Sequence, residues 1–593
     1  MYMRKLLTAA MMLLLSIGAW AQHEYYDKAL AAYNEGNLDL AMQYLQKQCS
    51  EAECDFASQW LGMEIFYSAQ EYQLAGQMAQ KLLPELKKDA HESRCTVYAY
   101  MAIAAFENED YKTANKLLTN ALKENPKSSF CYYERAYTSA AQEHYDAAIK
   151  DLKKSIECDP DRIEAYTLAG MCYEAKKDTV NMHKCYQMAI EKTNGETPWV
   201  WCEYGASYFN RGQIDRAIDM LFKAITLDSE NARTGRFYNF LQKHDAVLLK
   251  DRLKAKVEEE PWNPTWEALL GDSYETIDSL PEAYMHYRIA SLQDATYDGG
   301  VQPLRRLAQA LADADDYEGA LLLLEEGLEV NPMFLPYRRL KHAYTYNKGD
   351  YAQALEEAER LMDIDEKQKD DLMFLTADYL CKLGRYEEAM VRCLEILKTR
   401  DEYNNLTLLM ADLYRKMGKT AEAESNYRIL IKQAEDYFDY ATMTPKPVTK
   451  ETADRLGSFT LPRSLMGIGL QDKAQEVVRI MNGKISTALN ENPDLQLDAT
   501  LLYNLACVNA VVGMHSDAIS MLELADKFGH SQPRYTLVDP DFESIRNSQD
   551  AEVKEQWQKL IDKMTEAQRV KAKRIHEAID GVKLTEKQRI IKK

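Results

Sequence analysis

The chain is poor in the residues that break regular structure. Its 593 residues include 24 glycines and 16 prolines, so little turn chemistry is available, and the many Ala, Leu, Lys and Glu favour helix throughout. Basic charge is also scarce. Lys and Arg number 73 against 94 Asp and Glu, a net charge of −21, which argues against nucleic acid or anionic lipid as partners. Apolar runs are short as well: the run from Leu6 to Ile17 falls below the length of a membrane-spanning helix. Catalytic signatures are missing. There is no Gly-rich phosphate loop, G-x-S-x-G, H-E-x-x-H or paired C-x-x-C, so no enzymatic activity and no cofactor are expected. His183-x-Cys185 with Cys172 is the nearest approach to a metal cluster, but residues two apart diverge on a helix, which favours packing over ligation. Disorder is argued against by 28% charged and 46% hydrophobic residues, ordinary values for a folded chain.

What is present begins with a leader. Arg4 and Lys5 precede the apolar run, and Ala19-Trp20-Ala21 follows it. This is the pattern of a secretory signal peptide over residues 1–21, cleaved near Ala21, and it implies a periplasmic or secreted mature chain without a membrane span. No cysteine precedes Cys49, so a lipid-attachment cysteine is lacking. The eleven cysteines suit a compartment that permits disulfides, and Cys49 and Cys54 bracket a short turn as the best local candidate for a bridge. The remainder fall in helical patterns as packing residues. From Lys554 to the end, 12 Lys and Arg face 6 Asp and Glu, a net of +6. A solvated helix is the expected reading of this basic tail, with docking on the acidic body or on an acidic partner as alternatives.

The central observation is a repeat. Ala114, Leu118, Ala121 and Pro126 return as Ala148, Leu152, Ser155 and Pro160, each 34 positions later. Such a period marks an array of helix pairs, each unable to bury its apolar face alone. A nearly complete unit carries Trp201, Gly205, Tyr208, Gly212, Ala217, Leu221 and Ala224. These positions resemble the tetratricopeptide repeat family. The resemblance implies an all-α fold, a right-handed solenoid of stacked helix-turn-helix repeats. The register divides the chain into a leader (1–21), an N-terminal array (22–436), an interrupting loop or hinge rich in proline (437–463), further repeat units (464–550), and a capping helix with the basic tail (551–593). It also falters from Asn231 to Pro261, where the small residues are lost.

In that family the first helix of each pair lines the concave side. The lining positions select Tyr26, Tyr33, Phe106, Tyr133, Tyr137, Trp199 and Phe209, aromatics of the kind that anchor interfaces. Arg305 and Arg339 fall at equivalent positions and suggest a basic wall for carboxylate or phosphate, while pairing with nearby Asp and Glu is the plainer reading. The expected function is a scaffold that binds a protein or an extended peptide in envelope assembly, export or maintenance. A glycan or envelope-polymer binder is the alternative, since aromatic grooves also stack sugars.

Overall fold

The computed structural model describes residues 24–51, 54–231, 236–365, 368–398, 404–447, 459–492 and 495–589. The leader lies outside the described residues. The all-α expectation holds: helices follow one another in packed antiparallel pairs, and the described strands are the two-residue pair Phe438–Asp439 and Thr444–Pro445.

The repeat pattern sets the geometry of each pair. Helix Ser129–Ala141 packs on Tyr145–Cys158, and Ile163–Ala175 on Thr179–Lys192. Ala114, Leu118 and Ala121 are buried in one pair, and Ala148, Leu152 and Ser155 in the next, because small residues let the axes approach. Gly170 shows the same constraint: a Cβ there would lie 2.8 Å from the Tyr186 ring of the paired helix. Between the two helices the backbone turns through a left-handed residue. Glu109, Glu143 and Lys177 take φ of 59°, 60° and 61°, and Gly212 takes the equivalent place at 72°. Only the last has the residue type that this conformation favours. An aspartate often follows the turn and caps the second helix, as Asp110 does toward the Thr113 amide and Asp178 toward the Asn181 amide.

The chain divides into two compact units, Met1–Asp228 and Ser229–Lys593. The division falls at the edge of the stretch where the repeat pattern falters. In the N-terminal unit the first helices of neighbouring pairs touch, Glu24–Asn34 with Phe56–Ser68 and His91–Glu107 with Ser129–Ala141, while no comparable contact joins second helices among the described residues. The array therefore curves toward its first helices, which line the inner side. Cys49 and Cys54 form a disulfide.

In the C-terminal unit a core that includes Ile431, Phe438, Leu465, Val478 and Val512 runs across the proline-rich stretch, whose residues 448–458 lie outside the described set. The basic tail differs from the solvated helix expected of it. Helix Ala551–Ile579 buries Trp557, Leu560, Ile561 and Met564 against the last repeat, then continues across helices Leu280–Gln293 and Pro303–Ala312. Lys571 donates to the Asp313 carbonyl at 3.0 Å, His576 meets the Asp316 carboxylate at 2.7 Å, and Gln588 donates to Glu267 at 3.2 Å. Apolar residues on one face of the helix and an acidic turn opposite its basic end together give the tail a place on its own body.

Candidate ligand-binding faces

In the N-terminal unit the inner face is aromatic. The Tyr67 ring stacks on Tyr100 at 4.3 Å and lies 5.7 Å from Tyr72 and 6.4 Å from Phe130. Farther along, Phe106 lies 5.3 Å from Tyr111 and 5.1 Å from Tyr137, whose ring faces Tyr133 at 6.4 Å. These rings come from successive pairs, so the 34-residue pitch turns scattered residues into one surface. Tyr137 remains 44% exposed, leaving ring area for a ligand.

Two carboxyl groups sit among the rings. Glu64 is buried and accepts a 2.9 Å hydrogen bond from the Tyr100 hydroxyl. Burial pushes its pKa up to about 7, against the lowering effect of that bond. Glu134 is also raised to about 7, by burial, with the Arg162 charge opposing. Arg162 itself donates to Ser129 Oγ at 2.8 Å and stacks over Phe130 and Tyr133 at 5.8 and 5.9 Å.

The residues selected from sequence divide. Tyr33, half-buried with its hydroxyl 3.1 Å from Ser68 Oγ, and Phe106, Tyr133 and Tyr137 belong to this surface. Tyr26 is 7% exposed and lies in the core with Ala29 and Leu45. Trp199 is 41% exposed at the start of helix Pro198–Asn210, and Phe209 is half-buried near its end. In the C-terminal unit Arg305 is exposed, with Gln302 Oε1 at 2.5 Å, while Arg339 holds the buried Asp365 through two bonds of 2.8 and 2.5 Å. Their neighbours pair as well, Arg306 with Glu275 and Arg338 with Glu357. The ion-paired reading thus describes three of these four arginines. Tyr67, Phe130, Glu134 and Arg162 complete the aromatic face, with Tyr100 and Glu64 buried beneath it, and none of them was singled out by the sequence.

The corresponding face of the C-terminal unit is covered by its own chain. Segment Pro533–Phe542 lies across the first helices of several pairs. The Arg534 amide donates to Asp315 at 3.0 Å and its guanidinium reaches Glu318. Tyr535 meets the Tyr346 hydroxyl at 3.0 Å. Asp539 accepts from Tyr503 at 2.8 Å, and Asp541 receives a two-pronged bond from Arg463, one prong at 2.9 Å. Cys507, Asp539 and Asp541 place ligand atoms within 4.8 Å of one another, but Arg463, Tyr503 and backbone amides already occupy the carboxylates. His183 is likewise engaged, by the Tyr204 hydroxyl at 2.8 Å and Arg211 at 3.2 Å, and burial beside Arg211 lowers its pKa. Among the described residues no helix is long and apolar enough to cross a membrane.

Comparison with known proteins agrees with the helix pairs. Superkiller complex protein 3 of Homo sapiens is 21% identical over 300 residues, covering 49% of this chain and 17% of that protein. The TPR repeat-containing protein YpiA of Bacillus subtilis is 26% identical over 163 residues, 27% of this chain and 37% of that protein. The chain therefore spans well under half the length of these curated relatives. Among solved structures, YrrB, described as a TPR protein with an unusual peptide-binding site, is 20% identical at a TM-score of 0.24, covering 31% of this chain and 92% of that one. MamA from Desulfovibrio magneticus RS-1 is 16% identical at 0.26, covering 30% and 98%. Residues 101–179 match the tetratricopeptide repeat family model, within the run of paired helices.

Proposed function

We propose that the protein is a non-enzymatic scaffold that holds an extended segment of another protein on the inner face of its N-terminal unit. The observation that carries this reading is the contrast between faces. In the C-terminal unit a peptide segment already lies across the first helices, held by Tyr346, Arg463 and Tyr503, while the N-terminal unit presents an aromatic face with Tyr137 exposed. YrrB's described peptide-binding site is consistent with the same use of paired helices. A periplasmic or secreted location belongs to the proposal. It is supported by the leader-like sequence of residues 1–21 and by the Cys49–Cys54 disulfide, a bond favoured in oxidising compartments. Envelope assembly, export or maintenance is the role such a location suggests.

The test is a photo-crosslinking amino acid at Tyr137 in the full chain, expressed in cells and analysed by mass spectrometry. Capture of defined polypeptides, lost in a Phe106→Ala/Tyr133→Ala variant that still melts normally, is the expected result. Retardation by polysaccharide in affinity electrophoresis, with no polypeptide captured, favours the glycan reading instead.

A further inference from the structure

Nine cysteines stand outside the Cys49–Cys54 bridge, and two of them meet. The Cys95 and Cys131 sulfurs lie 3.5 Å apart in the core of the N-terminal unit. They come from neighbouring first helices, His91–Glu107 and Ser129–Ala141, which touch along the inner side of the array. Bonded sulfurs stand about 2.05 Å apart, so the gap left to close is about 1.5 Å, within reach of side-chain rotation.

The surroundings make the two sulfurs unequal. Ser128 caps helix Ser129–Ala141, its Oγ accepting from the Cys131 amide at 3.2 Å, so the sulfurs meet at the positive end of that helix. Hydrogen bonds from Cys131, and then from Ser128 and the Asn125 backbone, hold the Cys95 pKa below its ordinary value against the effect of burial. The same contact, together with burial, raises that of Cys131. Cys95 is thereby suited to attack as a thiolate and Cys131 to follow as a thiol. Burial acts differently elsewhere, pushing the thiols of Cys172, Cys185, Cys381 and Cys393 up. Access comes from the surface side. Cys95 lies one helical turn from the exposed His91, and the turn that carries Asn125 and Ser128 exposes Pro126 and Lys127. Lifting that turn uncovers the pair without opening the rest of the core.

We propose that Cys95 and Cys131 form a redox site that closes to a second disulfide by exchange with a disulfide donor, such as oxidised glutathione or the disulfide of an oxidoreductase. The Cys95 thiolate attacks one donor sulfur, forming a mixed disulfide and expelling the other donor sulfur as a thiolate. Cys131 then gives up its proton and attacks Cys95 Sγ, which forms the Cys95–Cys131 bond and expels the second donor thiolate. The protons released by the two cysteines end on the donor sulfurs, so two thiols are oxidised and one disulfide is reduced to two thiols. The bond ties the helix carrying Tyr100 and Phe106 to the helix carrying Phe130, Tyr133 and Tyr137. It fixes the spacing of the aromatic face whatever that face binds.

The experiment incubates the reduced full chain with oxidised glutathione under native conditions, blocks the remaining thiols with N-ethylmaleimide, and maps unreduced peptides by mass spectrometry. A peptide linked through Cys95 and Cys131 is expected, and dithiothreitol should remove it. Cys131→Ser is expected to stop at a glutathione adduct on Cys95, and Cys95→Ser to leave Cys131 free for the maleimide. Melting curves close to that of the parent chain show that both variants fold. Recovery of both cysteines as maleimide adducts, while Cys49–Cys54 closes in the same sample, overturns the site. Linkage that forms only in denaturant, mixed with links to other cysteines, overturns it as well.

Discussion

The two units build comparable faces from the same repeat and differ in what covers them. In the C-terminal unit the face is satisfied from within. Lys382 lies over the Tyr346 ring, segment Pro533–Phe542 covers the first helices, and the basic tail clasps the acidic turn at Asp313–Asp316. In the N-terminal unit Arg162 stacks on Phe130 and Tyr133, and among the described residues no lysine or covering segment lies on the Tyr67 and Tyr72 rings. Repeats of this kind therefore specify a surface without specifying what lies on it.

The largest expected effect comes from uncovering the closed face. Arg463→Ala strands Asp541, a carboxylate whose pKa the guanidinium holds down against the effect of burial. Losing such a two-pronged, partly buried pair costs about 2–3 kcal/mol. Chemical denaturation followed by two probes, one in each unit, should show the C-terminal transition shifted and the N-terminal one unmoved. A shift in both erases the distinction between the units.

The next effect belongs to the open face. Glu64 and Glu134 have pKa values raised by burial to about 7, above their unfolded values, so the native state binds more protons between the two. Stability of the N-terminal unit should accordingly increase as pH falls from above 7 toward 5, by of the order of 2 kcal/mol. The Glu64→Gln/Glu134→Gln variant should flatten this profile, as measured by denaturation midpoints across pH. A profile that rises with pH contradicts the raised pKa of both groups.

Much of the architecture was legible because its signal is periodic. The 34-residue pitch placed Ala114 and Ala148 in the core and Tyr133 and Tyr137 on the face. The pitch is less informative where spacing changes. Tyr67 belongs to a pair with one extra residue, which moves it off the register. Glu134 is next to the selected position rather than on it, and a carboxylate among aromatics does not follow from a lining rule. Phe130 shares the helix-start position of Trp199 and is within reach of the same rule. The tail's +6 charge was visible, but net charge does not name a partner, and the acidic turn that receives it lies more than 250 residues earlier.

The smallest effect concerns the turns that both units share. Lys177 adopts φ 61° where Gly212 stands in the next repeat. Lys177→Gly should relieve the strain of a side chain in the left-handed region, partly offset by the greater freedom of glycine when unfolded, for a net gain of about 0.5–1 kcal/mol. Thermal melts of the N-terminal unit measure this, and a loss of stability instead shows that the lysine side chain contributes more than its backbone costs.

The clasp also changes how the C-terminal unit can open. Among the described residues of the N-terminal unit the side-chain hydrogen bonds reach across 36 residues or fewer, so a terminal pair can fray without disturbing distant ones, as in a linear array. In the C-terminal unit the bonds from Arg534, His576 and Gln588 span 219, 260 and 321 residues. Local opening there must break a closed circuit, so its pairs unfold together rather than one by one. Closing that circuit has to wait until the last residues are available, which makes its folding the slower of the two.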